Sequence, residues 1–219
     1  MRLQRWSCLL LLLAVVAGCT ATAESDFTYS PPEAFPPRSS VLVPDGLEVI
    51  RARLVQGLTR DRFAVSGDAE GATFLRFSLM TDRPDPHVDC GRIERRYVGP
   101  RGEEESYSYR IGQRSSFKAA DPQSRPLAVT HRAFLEAHAS ISLAVREGGT
   151  EVTVAVRYDL TVTEVSQPLT RDNRPLGSAT SESHTISFRS DSPAPPDGDL
   201  PGCAATGHIE RAVLRAAQG

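Results

Sequence analysis

Five histidines, four cysteines and two clusters of charge are the residues of this 219-residue chain that could do more than pack. His87, Asp89 and Cys90 fall within four positions and offer nitrogen, oxygen and sulfur donors, the ingredients of a metal or nucleophile site. No second cluster at ligand spacing follows, so no metal is expected. His131 and His138 are seven apart, which in extended chain sets them on opposite faces. His184 falls on the apolar side of a strand pattern, where a hydrogen-bonded core or rim residue would sit, and His208 opens a helix. Glu103, Glu104 and Glu105 could be paired carboxylates or calcium ligands; as consecutive acids beside glycines they fit a solvated turn better. Arg92, Arg95, Arg96 and Arg101 gather near Tyr97 as a basic patch suited to an acidic partner or lipopolysaccharide phosphate, with plain surface solubility as the simpler use. There is no Gly-x-Ser-x-Gly elbow, His-Glu-x-x-His, phosphate-cradling glycine loop or dinucleotide fingerprint. The expectation is a protein that is not an enzyme and has no cofactor. With 25 basic against 27 acidic residues, nucleic acid is not an expected partner.

The N-terminus speaks more clearly. Arg2 and Arg5 precede an apolar run, Leu9 to Val16, and small residues Ala17 and Gly18 follow, the three parts of an export signal. The run is too short for a bilayer core that needs about 20 apolar residues. It ends Val16-Ala17-Gly18-Cys19, which resembles the lipobox of bacterial lipoproteins. The resemblance implies that residues 1–18 are removed, Cys8 with them, and that Cys19 is acylated and becomes the new N-terminus. It also implies an outer-membrane address, because Thr20 stands where an inner-membrane lipoprotein usually has Asp. Two or more acyl chains, at about 0.8 kcal/mol per buried CH₂, hold a soluble body at a membrane. Loss of Arg2 and Arg5 leaves 23 of the 25 basic residues against 27 acids, so the chains rather than electrostatics must anchor it.

Cys90 and Cys203 then remain, and in an exported chain the leftover pair is expected to form a disulfide. A redox pair or metal ligands are the rival uses; the lack of Cys-x-x-Cys weakens the first.

These residues must be positioned by the following elements. Residues 19–40, with Pro31, Pro32, Pro36 and Pro37, read as an extended tether holding the body off the membrane. A helix follows, capped by Asp45 with Glu48 three residues on, and Leu47, Ile50, Leu54 and Leu58 form its stripe. Leu75, Phe77 and Leu79 alternate in a strand at 73–80. From about 81 to 130 prolines and glycines interrupt the pattern, and only 92–98 and 106–111 look like strand pieces within an irregular insert. Ser140–Arg146, a turn at Gly148-Gly149, and Glu151–Val165 predict a long hairpin with Val152, Val154, Val156, Tyr158, Leu160 and Val162 on its buried face. A strand at 183–189 and a C-terminal helix, striped by Ile209, Val213 and Ala216, complete the chain.

The expected fold is therefore α+β: residues 41–219 as one two-layer sandwich, an antiparallel sheet of four to six strands covered by an N-terminal and a C-terminal helix. That order loosely resembles the helix-grip domains of outer-membrane assembly lipoproteins, in architecture only. The expected role is a non-enzymatic interaction or accessory subunit with an envelope protein partner, anchored to the outer membrane with its body in the periplasm. The alternative is a module that binds lipid or another amphiphile.

Overall fold

A computed structural model describes residues 22–33, 36–66, 73–198 and 200–219. The expected signal peptide, residues 1–18, and Cys19 lie outside these residues. The elements, in order, are β1 (Glu24–Ser30), β2 (Ser40–Val43), α1 (Leu47–Arg60), β3 (Ala64–Ser66), β4 (Phe74–Thr81), β5 (Val88–Asp89), β6 (Arg92–Val98), β7 (Glu104–Arg110), β8 (Ser115–Ala120), β9 (Pro126–Arg146), β10 (Gly149–Pro168), β11 (Thr180–Arg189), β12 (Ala204–Ala205) and α2 (His208–Gln218).

Strict alternation builds the centre. Val129, His131, Ala133, Leu135, Ala137, Ala139, Ile141 and Leu143 all face one side of β9 and are buried. On β10 the six residues from Val152 to Val162 do the same. The two strands pair along their whole length, from Arg146 opposite Gly149 to Leu127 opposite Pro168. The turn is Glu147-Gly148 rather than Gly148-Gly149. Gly149 is already in the strand, where its backbone passes so near the Val43 carbonyl that a Cβ would come within 2.1 Å of it. Only glycine fits that approach.

Each half of this hairpin has its own neighbours. β4 and β8 share the free edge of β9, and β2 and β11 share that of β10, giving a seven-stranded sheet closed off by β3. Helices α1 and α2 cover one half of the buried face. Ile50, Leu54, Leu58, Ile209, Val213 and Ala217 meet Leu75, Ile141, Val154 and Tyr158 in a single core. The helices pack closely on each other, since a Cβ on Gly57 would lie 2.9 Å from that of Ala216. A separate three-stranded sheet, β1-β6-β7, covers the other half through a smaller core of Tyr109, Phe117, Ala119 and Val129. β5 and β12 form a third, two-stranded sheet.

This overturns the α+β sandwich. Strand makes up 55% of the described residues and helix 13%, in several sheets with two short helices, so the fold is β-rich. The reason lies in two segments. The supposed insert at 81–130 is β5 to β8 and the start of β9, short strands between Pro- and Gly-bearing turns. The supposed tether contains β1, paired with β6 from Glu24 opposite Val98 to Ser30 opposite Arg92. The Asp45 cap also differs. Gly46 is the N-cap, and the Asp45 carboxylate takes a 2.7 Å bond from Arg53 instead.

Cys90 and Cys203 are joined by a disulfide across 113 residues, beside the short ladder that pairs Val88 with Ala205 and Asp89 with Ala204. It fixes the start of α2 to the body.

Candidate functional site

The four arginines of the expected patch do not converge. Arg92 and Arg96 point to the outer face of β6, Arg92 bonding Ser108 Oγ at 2.9 Å and Arg96 bonding Glu104 at 2.5 Å. That face also carries Asp26 and Glu94 around a shallow cavity of about 480 Å³, so its charge is mixed. Arg95 faces inward, its guanidinium 4.7 Å from the Phe117 ring centroid and 5.3 Å from that of Phe27. Arg101 is on the next turn, 3.8 Å from Asp172. The three glutamates are likewise split. Glu103 folds back onto the amide of Arg101, Glu104 takes Arg96, and Glu105 accepts from Lys118 at 2.5 Å and from the Tyr107 hydroxyl.

Inside the smaller core lies a polar seam. His131 is 2% exposed, with Nε2 bonded to the Ile111 carbonyl at 2.8 Å and Nδ1 3.1 Å from Glu164. The His131 bond, with Arg95 and His184 adding positive charge, holds the Glu164 carboxyl below its ordinary range. Burial first, then the Glu164 charge, pushes the Tyr109 hydroxyl up to about 12 against the opposing pull of Arg95. His131 is buried while the Glu164 side chain at the other end of the seam is 42% exposed, so the seam reads as a partly buried network that registers the small sheet on the large one.

A site with room lies elsewhere, in a groove of about 730 Å³ between the end of α1, the end of β4 and the start of α2. Three local events make it. First, α1 ends at Arg60 with Asp61 as its C-cap, and Arg62 beyond it takes a left-handed φ of 67°. The Arg62 amide bonds to Thr59 O and the Phe63 amide to Leu58 O, a Schellman ending with arginine where glycine is usual. Second, β3 pairs β4 only over Arg76 to Ser78, so Leu79 to Thr81 have no described strand on that side. Third, the turn after β4 brings His87 against His208, ring centroids 4.9 Å apart and edge to face. Burial, and secondarily the charge of His208, lower the His87 pKa to about 4.

Arg60, Arg62 and Arg215 line this groove, and none forms an ion pair with another described residue. Asp61 and Asp82 oppose them only in part. Its apolar wall holds Phe63 with Met80 and Phe134, which are 63% and 44% exposed. The arrangement offers cations, apolar surface and a strand edge that no described strand covers. Sequence reading missed all of it, because its parts come from residues 60–63, 79–82, 87, 134 and 208–215. The one available signal was Arg60-Asp61-Arg62 closing an amphipathic helix.

Among the described residues, no group of three or more His, Cys, Asp or Glu is gathered to hold a metal ion, and no helix is long and apolar enough to cross a membrane. His87 and Asp89 thus stand apart from any ligand cluster, with Cys90 in the disulfide. No family model, curated protein or solved structure matches the chain.

Proposed function

We propose that this chain is an envelope lipoprotein, anchored through Cys19, whose β-rich body is a non-enzymatic interaction subunit. The groove between α1, β4 and α2 is its docking site, and the partner is a protein segment in extended form that carries acidic and apolar residues. The observation that carries this reading is the coincidence of the edge at Leu79–Thr81, beside which no described strand pairs, with three arginines that have no ionic partner among the described residues. An added strand gains main-chain hydrogen bonds there, while carboxylates meet Arg60, Arg62 and Arg215. The outer membrane is the proposed address, with the body in the periplasm.

An amphiphile held in the core would need part of the apolar sheet face left bare. That face is covered by the helices and the small sheet, with Leu135, Ile141, Tyr158 and Leu160 all 0% exposed. The groove is the remaining place for such a ligand, and its three arginines favour an acidic one.

The test is mild crosslinking in envelopes from cells making wild type, Arg62→Glu/Arg215→Glu, or a control Arg146→Glu at the far hairpin. The expected result is one defined partner that the control retains and the groove variant loses by about tenfold. Equal recovery by all three forms would remove the groove from consideration.

A further inference from the structure

We propose that the end of the molecule built from the turns at 99–103, 121–125 and 169–177 lies against the lipid surface, with the 169–177 loop touching the headgroups. This deepens the lipoprotein reading and rests on acylation of Cys19.

The argument begins with chain length. Ala23 is 1% exposed, and its amide donates to the carbonyl of Ser124 at 2.9 Å. Two residues on, Ser25 Oγ accepts from the Ala120 amide. Four residues of chain reach at most about 14 Å, so an acylated Cys19 must lie within that distance of Ala23. Nothing from Ala23 onward can serve as slack, because β1 is docked on β6.

The three turns meet at this point. Glu24 sits opposite Val98, which leads into the 99–103 turn. Leu169 bonds Pro126, next to the 121–125 turn, and Arg101 reaches Asp172 across the gap. The chemistry of the rim suits phosphate headgroups. Arg171 and Arg174 are exposed and have no ion pair with a described residue, whereas Asp121 is tied to Arg125 at 2.6 Å and Glu103 is turned into its own backbone. Leu176, 56% exposed, projects from the same loop. Arginines that can grip phosphate beside an exposed leucine are the ingredients of an interfacial contact. The opposite pole is the Glu147-Gly148 hairpin, some 60 Å of strand away.

The experiment places a bimane label at Leu176→Cys or Val145→Cys on the mature lipidated protein. Each form is bound to vesicles of phosphatidylethanolamine and phosphatidylglycerol that carry a headgroup nitroxide quencher. Intact mass of each sample reports acylation at Cys19. Severalfold stronger quenching at 176 than at 145 is expected. Acylated protein with equal or reversed quenching overturns the orientation and leaves the anchor standing. Absence of the acyl mass overturns the anchor and the orientation with it. Amide hydrogen exchange of the unlabelled lipidated protein, with and without vesicles, gives the same answer without a substitution. Protection should rise over 169–177 and stay unchanged at 144–150, and no change over 169–177 counts against the orientation.

Discussion

The Tyr29 hydroxyl lies 3.2 Å from the Cys90 carbonyl and 3.1 Å from that of Gly202, so one side chain of β1 bridges the two segments that the disulfide joins. The N-terminal strand is therefore locked to the cysteine crosslink as well as to β6. Tyr29→Phe should cost about 1 kcal/mol, the net value of one such hydrogen bond. Replacing both cysteines by serine should cost far more, about 2–5 kcal/mol, because the crosslink spans 113 residues. Urea denaturation of the soluble body under non-reducing conditions measures both. A smaller loss for the cysteine pair than for Tyr29→Phe would contradict this ranking.

Tyr158 and Glu210 form a second long-range link, the tyrosine donating to Glu210 Oε1 at 2.9 Å where both residues are 0% exposed. Burial, then the Glu210 charge, raises the Tyr158 pKa, so the proton stays on the phenol and the bond persists across the working range. Glu210 Oε2 has no partner among the described groups. Tyr158→Phe would strip the remaining partner from a buried carboxylate and should cost about 2–3 kcal/mol. Glu210→Gln keeps an acceptor, removes the charge, and should cost less than 1 kcal/mol. The thermal midpoints of the two variants decide the order, and a more severe Glu210→Gln would be inconsistent with it.

The groove should weaken in mild acid. His87 has a folded-state pKa of about 4, below the 6.5 of a free histidine. The unfolded chain therefore takes up this proton first as pH falls. Stability from a neutral His87 is complete above about 6.5, declines from there to about 4, and is absent below. Solvent screening around a half-enclosed ring limits the effect to about 1–2 kcal/mol. Wild type should accordingly lose more stability between pH 7.5 and 5 than His87→Asn. Parallel pH profiles for the two would show that His87 is not the group responsible.

Much of the centre was legible because alternation is a local property. The faces of β10, the stripe of α1 and the strand at Leu75 to Leu79 follow from residue order alone, as does the pairing of two leftover cysteines. The first two thirds of β9, residues 126–139, were not legible. Ala128, Ala133, Ala137 and Ala139, with Glu136 among them, have low strand propensity, and pairing with β4, β8 and β10 overrides it. β1 was masked by the prolines that follow it, since Phe27 and Tyr29 gain partners only when β6 arrives from some 65 positions away. The groove had no signature at all. Its cations are unremarkable one by one and matter only once α1, β4 and α2 converge.

Arg62 offers the sharpest test of whether the groove has been kept for a purpose. A left-handed backbone costs a non-glycine residue about 1 kcal/mol or more, and a Schellman ending is the position where glycine removes that cost. Arg62→Gly should therefore stabilise the body by about 0.5–1 kcal/mol while deleting one of the three groove cations. If the strained arginine serves binding, the more stable variant should recover several-fold less of the partner that wild type crosslinks. Arg38→Gly, at an exposed arginine ahead of β2 that bonds the Ser40 carbonyl, should leave recovery unchanged. Denaturant midpoints and crosslinking yields on the same preparations separate the two effects. Greater stability with undiminished recovery would mean that the left-handed arginine has no part in binding, and the weight of the groove would then rest on Arg60, Arg215 and the edge of β4.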